Sequence, residues 1–291
     1  MRVTDDDMLV DPTNAEAFRA WNGPDGHHWA DHEAAFDRSL EAFDPPFLAA
    51  AAIAPGQRVL DIGCGAGATT LAVARAAGPR GGVLGLDLSA HLVARARARA
   101  QIARLTTVDV IQADAQIHRF APGAWDVAVS RMGAIFFGDA VAGFGNVARA
   151  LRPGGRLVAL SWQSLDRNPW VGEVVAALGG DGPAGVDPPG SLADPERAVP
   201  LLVAAGLAGV TFEPVQAPVR LGDSPGEAVA VVAGLGFARP LIAALDPAGR
   251  ARALDRLAAV LAGGAGDGAV LRPAAAWIVR AQRPFRPEEA P

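Results

Sequence analysis

The middle of the chain alternates short apolar runs with alanine-rich stretches, a pattern typical of strand–helix–strand units around a parallel sheet. Between Gln57 and Trp162, five runs rich in valine, leucine and isoleucine have the length of buried strands. They are RVLDIG (58–63), GVLGLD (82–87), VDVIQA (108–113), WDVAVS (125–130) and GRLVALS (155–161). Helices are predicted between them at about 67–77, 90–104 and 139–151, the last ended by a Pro-Gly-Gly breaker.

The flanks of this region have a different pattern. Residues 1–54 contain two tryptophans and three of the five histidines and predict an N-terminal helical cap. After Trp162, a connection rich in proline and glycine precedes the remaining predicted elements. These include two strands with a helical insertion, at about 224–262, between them. These elements are a helix near 194–206, a strand at 210–219, helices up to about 262, a loop at 262–268 and a last strand at 275–282. We therefore predict an α/β fold with a seven-stranded, mainly parallel sheet, and divide the chain into a cap (1–54) and a core (55–291).

Composition narrows the possible functions. A formal net charge of -5 argues against a nucleic-acid partner, which calls for a basic surface. No run reaches the roughly 18 apolar residues of a membrane helix, and the start MRVTDDDML is acidic where a signal peptide is basic. We expect a cytoplasmic protein without a membrane partner. The single cysteine, Cys64, excludes an internal disulfide and a thiol-based metal site, and the absence of tyrosine excludes a phenol as general base.

A glycine-rich loop follows the first predicted strand and opens a helix. In Asp61-Ile62-Gly63-Cys64-Gly65-Ala66-Gly67 the glycines allow a tight turn that presents main chain to a ligand, which predicts a site for a nucleoside-bearing cofactor. Gly63, Gly65 and Ala68 also satisfy the dinucleotide pattern, so the loop alone does not choose between cofactor classes.

Acidic residues end the next two predicted strands. Asp87, 20 residues after Gly67, stands where a carboxylate accepts hydrogen bonds from ribose hydroxyls. Asp114, followed by Ala115, ends the third strand, where it could meet an adenine amino group. A single acid at a strand end is often only a turn former. Three acids at successive strand ends, beginning beside the glycine loop, favour a ligand site.

In this order and spacing, the segments VLDIGCGAG, GLDLS, QADAQ, WDVAVSRMGAIFF and LRPGGRLVALSW resemble the motifs of class I S-adenosylmethionine (SAM)-dependent methyltransferases, in the small-molecule branch related to ubiquinone and menaquinone methyltransferases. The resemblance is strong over 58–162 and implies a Rossmann-like fold with helices on both faces and SAM as cofactor. It also implies specific roles for residues at the strand ends. The loop Asp61 to Gly67 would hold the methionine part, Asp87 and Leu88 the ribose, Asp114 and Ala115 the adenine, and Ser130, Arg131 and Met132 the floor shared with the acceptor.

One departure narrows the acceptor. Family members that methylate nucleic-acid nitrogens often carry an Asn/Asp-Pro-Pro-aromatic motif after the fourth strand, whereas this chain has Ser130-Arg131-Met132-Gly133. This departure disfavours a base-modifying methyltransferase. In the resembled family, insertions such as the one at about 224–262 tend to cover the acceptor pocket, and its apolar character, although equally typical of ordinary core, predicts a small, apolar or aromatic acceptor. We expect methylation of an undetermined oxygen, nitrogen or carbon by in-line displacement. Such a reaction depends mainly on alignment, and a base is optional.

The cap supplies further candidates. In the resembled family such a segment often forms a lid, and Trp21 could line the acceptor site, although it could equally be a packing anchor. His28 and His32 are spaced to share a helix face and are candidates for an acceptor base. With no third ligand apparent, we predict no metal site. An NAD-dependent oxidoreductase and a non-catalytic SAM-binding scaffold remain alternatives, and the apolar cap could join a homodimer.

Overall fold

The computed structural model describes residues 8–182, 192–263, 265–266 and 268–285. Within these ranges the sheet has the strand order β3-β2-β1-β4-β5-β8-β6, and a two-residue strand, β7, pairs with β8 outside this order. The strands are β1 (Arg58–Ile62), β2 (Gly82–Asp87), β3 (Val108–Gln112), β4 (Trp125–Arg131), β5 (Leu151–Trp162), β6 (Ala208–Gly222), β7 (Ala265–Gly266) and β8 (Ala269–Gln282).

The first five strands run parallel, and β8 is antiparallel to both β5 and β6. In register, Ile62 of β1 pairs with Leu86 of β2, and Asp87 pairs with Gln112 of β3. The carboxyl ends of β1, β2 and β3 therefore lie side by side. Ligands of open α/β sheets bind outside such an edge.

Twelve helices surround the sheet in the described part of the chain. They are α1 (Ala15–Trp21), α2 (Pro24–Asp31), α3 (Glu33–Ser39), α4 (Asp44–Ala51), α5 (Ala68–Ala77), α6 (Ala90–Ile102), α7 (Ala140–Ala150), α8 (Pro169–Ala177), α9 (Pro195–Ala204), α10 (Pro225–Ala233), α11 (Arg239–Ala243) and α12 (Pro247–Ala262). Several begin at a side chain that accepts a backbone N–H, such as Ser89 before α6 and Asp139 before α7. No described helix is both long and apolar enough to cross a bilayer.

The sheet separates two hydrophobic clusters, because successive strand residues point to opposite faces. Val59 of β1 packs in one cluster with α4, α5, α8, α10 and α12, and Leu60 packs in the other with α7 and α9. The cap helix α4 and the insertion helices α10 and α12 thus share a face and a core. Both faces carry helices, and the predicted fold class is confirmed.

Three predicted details need correction. The stretch after Trp162 contains helix α8, because Pro169 occupies the first turn of a helix, where a missing N–H costs nothing. The predicted loop at 262–268 contains β7, which forms a hairpin with β8. The strands β6 and β8 are also longer than predicted. Residues 1–7 of the predicted cap, 183–191 of the connection, 264 and 267 of the loop and 286–291 of the predicted core lie outside the described residues.

The shared core predicts where stability is concentrated. Phe47 of α4 is fully buried, and we expect Phe47→Ala to lower the free energy of unfolding by about 3–5 kcal/mol, the usual cost of a lost buried phenyl ring. Urea denaturation measures it. The matched control is Ile102→Ala, since Ile102 is 83% exposed and its loss should change stability by no more than about 0.5 kcal/mol. Equal effects of the two substitutions would contradict the assignment of α4 to the core.

Candidate functional site

A cavity of about 770 Å³ lies at the carboxyl ends of the parallel strands, between the glycine loop, the cap and the insertion. It brings together most of the residues that the sequence singled out. Those that line it are Trp21, Gly63, Cys64, Gly65, Asp87, Leu88, Asp114, Ala115, Arg131 and Met132. Pockets that bind one small ligand have volumes of about 300 to 1,000 Å³. The volume of this cavity lies within that range.

The glycine loop adopts the backbone conformation that its composition predicts. Gly63, Gly65 and Gly67 have φ angles of 67°, 54° and 89°, which favour glycine. At Gly63 an added Cβ would lie 2.6 Å from the Cα of Gly133, so the loop touches the chain that leaves β4. Gly67 does not line the cavity and instead precedes α5 at its N-terminus. Cys64 is buried, and burial raises the pKa of its thiol well above the ordinary value.

Asp87 holds the loop in place. Its carboxylate accepts hydrogen bonds from the backbone N–H of Gly65 (2.8 Å) and of Ser89 (2.8 Å). Burial raises its pKa, and these two hydrogen bonds oppose that change. Each carboxylate oxygen has lone pairs beyond those used, so Asp87 can accept further hydrogen bonds from a ligand.

Asp114 is buried and binds the start of the cap. It accepts hydrogen bonds from the N–H of Asp11 (2.9 Å), from the side-chain amide of Asn14 (2.9 and 3.0 Å) and from the N–H of Gln116 (2.9 Å). The amide oxygen of Asn14 in turn accepts the N–H of Gly138 (2.7 Å). Asn14 therefore links the end of β3 with the segment after β4.

Asn22 makes an equivalent contact at the end of β2. Its amide donates to the carbonyl of Leu88 (2.9 Å), and its oxygen accepts from the N–H of Ala90 (3.0 Å) and the amide of Gln112 (3.2 Å). Neither asparagine was predicted from the sequence. The Asn22-Gly23-Pro24 turn is visible in the sequence, but no local signal indicates its distant partners.

Asp61 lies behind the cavity wall, completely buried. Its Oδ2 accepts the hydroxyl of Thr70 (2.6 Å), whereas Oδ1 has no hydrogen-bond partner in the described part of the structure. Burial raises the pKa of Asp61 to about 6, although Thr70 and the guanidinium of Arg131 lower it. An unsatisfied buried carboxylate oxygen is costly and indicates a missing cationic or hydrogen-bonding partner.

Arg131 connects the floor of the cavity to the cap. Its guanidinium lies 3.2 Å from Oδ1 of Asp44 and 3.8 Å from Oδ1 of Asp37. Asp37 also pairs with Arg99 (2.7 Å), which donates to the carbonyl of Ala66 in the glycine loop (3.1 Å). Burial raises the pKa of Asp44, and Arg131 opposes that rise. The chain of charges joins α3, α4, α6 and the glycine loop.

The two neighbours of Arg131 differ in exposure to the cavity. Met132 lines it with a φ of 63°, a conformation that is rare outside glycine and often found at functional sites. Ser130 does not line it. Its hydroxyl donates to the carbonyl of Ile62 (2.8 Å) and accepts the N–H of Ala134 (2.8 Å), so Ser130 joins β1 to the segment after β4.

Aromatic rings form two walls of the cavity. On the cap side, Trp29 stacks on Phe36 at a centroid distance of 3.8 Å, and Trp21 meets Trp29 edge-on at 5.7 Å. In a second group, Trp170 meets Trp162 at 6.4 Å and Phe237 at 6.3 Å. Trp21 therefore lines the cavity and also packs against a neighbouring ring, so its position agrees with both predicted alternatives, a lining residue and a packing anchor.

The two histidines proposed as bases lie outside the cavity lining in the described residues. Nε2–H of His28 donates to the carbonyl of Val231 in α10 (2.8 Å), and burial lowers its pKa. Nδ1–H of His32 donates to the carbonyl of His28 (3.0 Å), and the two rings are 4.4 Å apart. These contacts hold the cap against the insertion, and a role as base remains a prediction. No cluster of three or more histidine, cysteine or acidic side chains in the described ranges could hold a metal ion.

Three features define the methyltransferase class of Rossmann-like folds. They are a parallel sheet with one antiparallel strand, here β8, next to its edge, a glycine loop after β1, and acids after β2 and β3. Residues 59–155 match the family described as a methyltransferase domain. The matched segment runs from β1 into β5 and includes the glycine loop, Asp87 and Asp114.

Three curated relatives each match less than half of the chain. An uncharacterized protein of Mycobacterium tuberculosis is 34% identical over 46% of this chain and 48% of its own length. Nocamycin O-methyltransferase of Saccharothrix syringae is 39% identical over 35% and 37%, and aklanonic acid methyltransferase DauC of Streptomyces sp. is 34% identical over 36% and 48%. The chain thus spans about half or less of the length of these relatives.

Solved structures share the fold. The YcgJ protein of Bacillus subtilis has a TM-score of 0.57 at 19% identity, covering 83% of this chain and 97% of that one. Phosphoethanolamine N-methyltransferase 2 of Haemonchus contortus also reaches 0.57, at 18% identity, covering 94% of this chain and 61% of that one. At these identities the likeness concerns the fold alone.

The buried Asp61 predicts a pH dependence of stability. Because its pKa is about 6 in the folded chain and 3.8 in the unfolded chain, the folded state binds the proton more tightly, and the free energy of unfolding should fall as pH rises from about 4 to 6. Asp61→Asn should remove this decrease, worth on the order of 3 kcal/mol, as urea titrations between pH 4 and 8 would measure.

Thr70→Val provides a second test of the same group. Loss of the hydroxyl that donates to Asp61 should raise the pKa of the carboxyl further and move the midpoint of the decrease to higher pH. If Asp61→Asn leaves the pH dependence unchanged, Asp61 is not the group that titrates.

Proposed function

We propose that this protein binds SAM in the cavity and transfers its methyl group by in-line displacement to a small, apolar or aromatic acceptor. The observation that carries the proposal is that the glycine loop, Asp87 and Asp114 line one cavity together with the rings of Trp29, Phe36, Trp162 and Trp170. The match to a methyltransferase domain and the small-molecule methyltransferases among the relatives support it.

The residues fit the chemical groups of this cofactor. Asp87 lines the cavity and retains lone pairs for ribose hydroxyls. Asp61 lies behind the loop, where its negative charge suits the positive charge of the methionine ammonium without direct contact. Asp114 lines the cavity beside Ala115, but its carboxylate already accepts hydrogen bonds from Asp11, Asn14 and Gln116, so an adenine amino group would replace one of them. All three groups are acceptors, and they match the donors of an adenosine and an amino acid.

When bound, SAM supplies a methyl group activated by an adjacent sulfonium. The protein's own part is to align the acceptor and exclude water, which are the main levers for a displacement of this kind. The cap and the insertion cover the cavity, and contacts such as His28 to Val231 hold them together. The side chains of Arg131 and Met132 would lie between cofactor and acceptor, with Arg131 fixed by Asp37 and Asp44.

The aromatic walls support an apolar, aromatic acceptor. Two groups of rings in the lining, Trp29 with Phe36 and Trp162 with Trp170, offer flat apolar faces, on which an aromatic ring gains both burial and ring contacts. The atom that receives the methyl group is not specified by these contacts.

Calorimetric titration tests the cofactor. We expect the wild type to bind SAM and not NAD, and Asp87→Ala to weaken SAM binding about tenfold to a hundredfold, because a charge-assisted acceptor is lost and the N–H of Gly65 is released. Asp109→Ala is the matched control, since Asp109 is an exposed acid in the middle of β3. NAD binding without SAM binding would instead support the oxidoreductase alternative.

Methyl transfer separates an enzyme from a scaffold. Incubation with methyl-labelled SAM and a panel of aromatic acceptors should give labelled product, whereas SAM binding without transfer to any acceptor would favour the scaffold. Gly63→Ala should abolish both binding and transfer, because its Cβ would collide with the backbone at Gly133.

A further inference from the structure

A glutamine just after β5 presents an unused hydrogen-bond acceptor to the cavity. Gln163 lines the cavity and is only 5% exposed. Its Nε2–H donates to the carbonyl of Ala276 (2.9 Å), whereas its Oε1 makes no hydrogen bond within the part of the chain that the structure describes. Oε1 is not one of the atoms there that are both unpartnered and fully enclosed, so it keeps accessible surface, and the cavity is where Gln163 has it. A ligand in the cavity can therefore donate a hydrogen bond to this oxygen.

The orientation of the Gln163 amide is fixed by its neighbours. The bond to Ala276 requires Nε2 to face that carbonyl, so Oε1 points away from it. The backbone N–H of Gln163 donates to the carbonyl of Ala275 (3.0 Å), and the backbone carbonyl of Gln163 accepts from the side-chain amide of Asn168 (3.1 Å). Asn168 is itself bound to the backbone of Ala275 through its nitrogen and its oxygen (3.0 Å each). The turn and its amide are therefore positioned before any ligand binds.

The strand order places Gln163 on the acceptor side of the proposed cofactor position. Along the carboxyl edge of the sheet the strands follow the order β3, β2, β1, β4, β5. The acids lie after β3 and β2, the glycine loop after β1, and Gln163 after β5. Neighbouring strands are about 4.8 Å apart, so β5 lies roughly 10 Å from β1 and roughly 19 Å from β3. A group bound at Gln163 would therefore belong to the acceptor and not to the adenosine.

The chemistry of Oε1 favours a neutral hydroxyl as its partner. An ionised phenolate has no proton to donate, and an uncharged amide oxygen gives an ammonium no counter-ion. Asp166, in the same turn, lines the cavity but is exposed, so solvent screens its attraction for a cation. Trp162 and Trp170 flank this turn in sequence and line the same cavity, so an aromatic ring that carries the hydroxyl meets apolar faces.

Resting on the proposed function, we propose that Gln163 selects aromatic acceptors that carry a neutral hydroxyl group, by accepting a hydrogen bond from that hydroxyl at Oε1. A site built to pair with a hydroxyl discriminates against an analogue without one, because the oxygen is then left without a donor. An amide oxygen accepts a hydrogen bond but takes up no proton, so this role is recognition and not general base catalysis.

The probes are 2-hydroxyfluorene, 2-fluorofluorene and fluorene, which share one ring system. Of the three, only 2-hydroxyfluorene can donate a hydrogen bond from its substituent. Calorimetry measures binding with S-adenosylhomocysteine present and again without it. We expect the wild type to bind 2-hydroxyfluorene about threefold to tenfold more tightly than either other probe, the range of one hydrogen bond. Equal affinities, or failure of all three probes to bind, would overturn the proposal.

Gln163→Met keeps the length of the side chain and removes the acceptor oxygen. It should abolish the preference for 2-hydroxyfluorene and leave the affinity for fluorene within about twofold. The matched control is Gln57→Met. Oε1 of Gln57 accepts the N–H of Ala54 (2.9 Å), but Gln57 precedes β1 at the opposite edge of the sheet and does not line the cavity. This variant should keep the preference; a preference that survives in Gln163→Met, or is lost equally in both variants, would contradict the role of Gln163.

A crystal structure of the wild type with S-adenosylhomocysteine and 2-hydroxyfluorene tests the contact without any substitution. We expect the hydroxyl oxygen within about 3 Å of Oε1, and a separation beyond about 4 Å would overturn the proposal. SAM binding is measured in the same preparations. A protein that prefers the hydroxyl but binds no SAM would contradict the cofactor assignment alone, whereas SAM binding without the preference would contradict acceptor recognition alone.

Discussion

The contact between Gly63 and Gly133 is the constraint on which the rest of the site depends. Two backbone segments, one after β1 and one after β4, touch where neither has a side chain, and a Cβ on Gly63 would lie 2.6 Å from its neighbour. This approach brings the glycine loop onto the floor of the cavity. Ser130 strengthens it by bonding to Ile62, and Met132 adopts its unusual φ immediately beside it.

The cap completes the site through polar contacts with the strand ends and with the insertion. Asn14 and Asn22 bind the ends of β3 and β2 beside Asp114 and Asp87, whereas His28 and Arg38 reach the insertion, Arg38 through Glu227 at 2.9 Å. Because the cap is tied to both the sheet and the insertion, neither end of the cavity is enclosed by the core alone. The aromatic groups that line the cavity therefore come from segments distant in sequence.

The features that the sequence predicted well are those that a local pattern of residues encodes. The apolar runs identified all five parallel strands, and three of the glycines and acids singled out at strand ends, Gly63, Asp87 and Asp114, line the same cavity. The contacts that were missed join residues far apart: Asn14 lies 100 positions from Asp114, and His28 lies 203 positions from Val231. Helix α8 was missed because its initial proline resembled a breaker. Nothing in a local pattern could show that Oε1 of Gln163 lacks a partner among the described residues.

The burial of Cys64 has a consequence for the chemical robustness of the protein. Thiolates, and not thiols, react with peroxides, disulfides and alkylating agents. Because burial and the neighbouring acids Asp61 and Asp87 raise the pKa of this thiol, the cysteine in the middle of the glycine loop has little thiolate character at neutral pH. We therefore expect the one sulfhydryl of the chain, although it lines the cavity, to react slowly with such reagents.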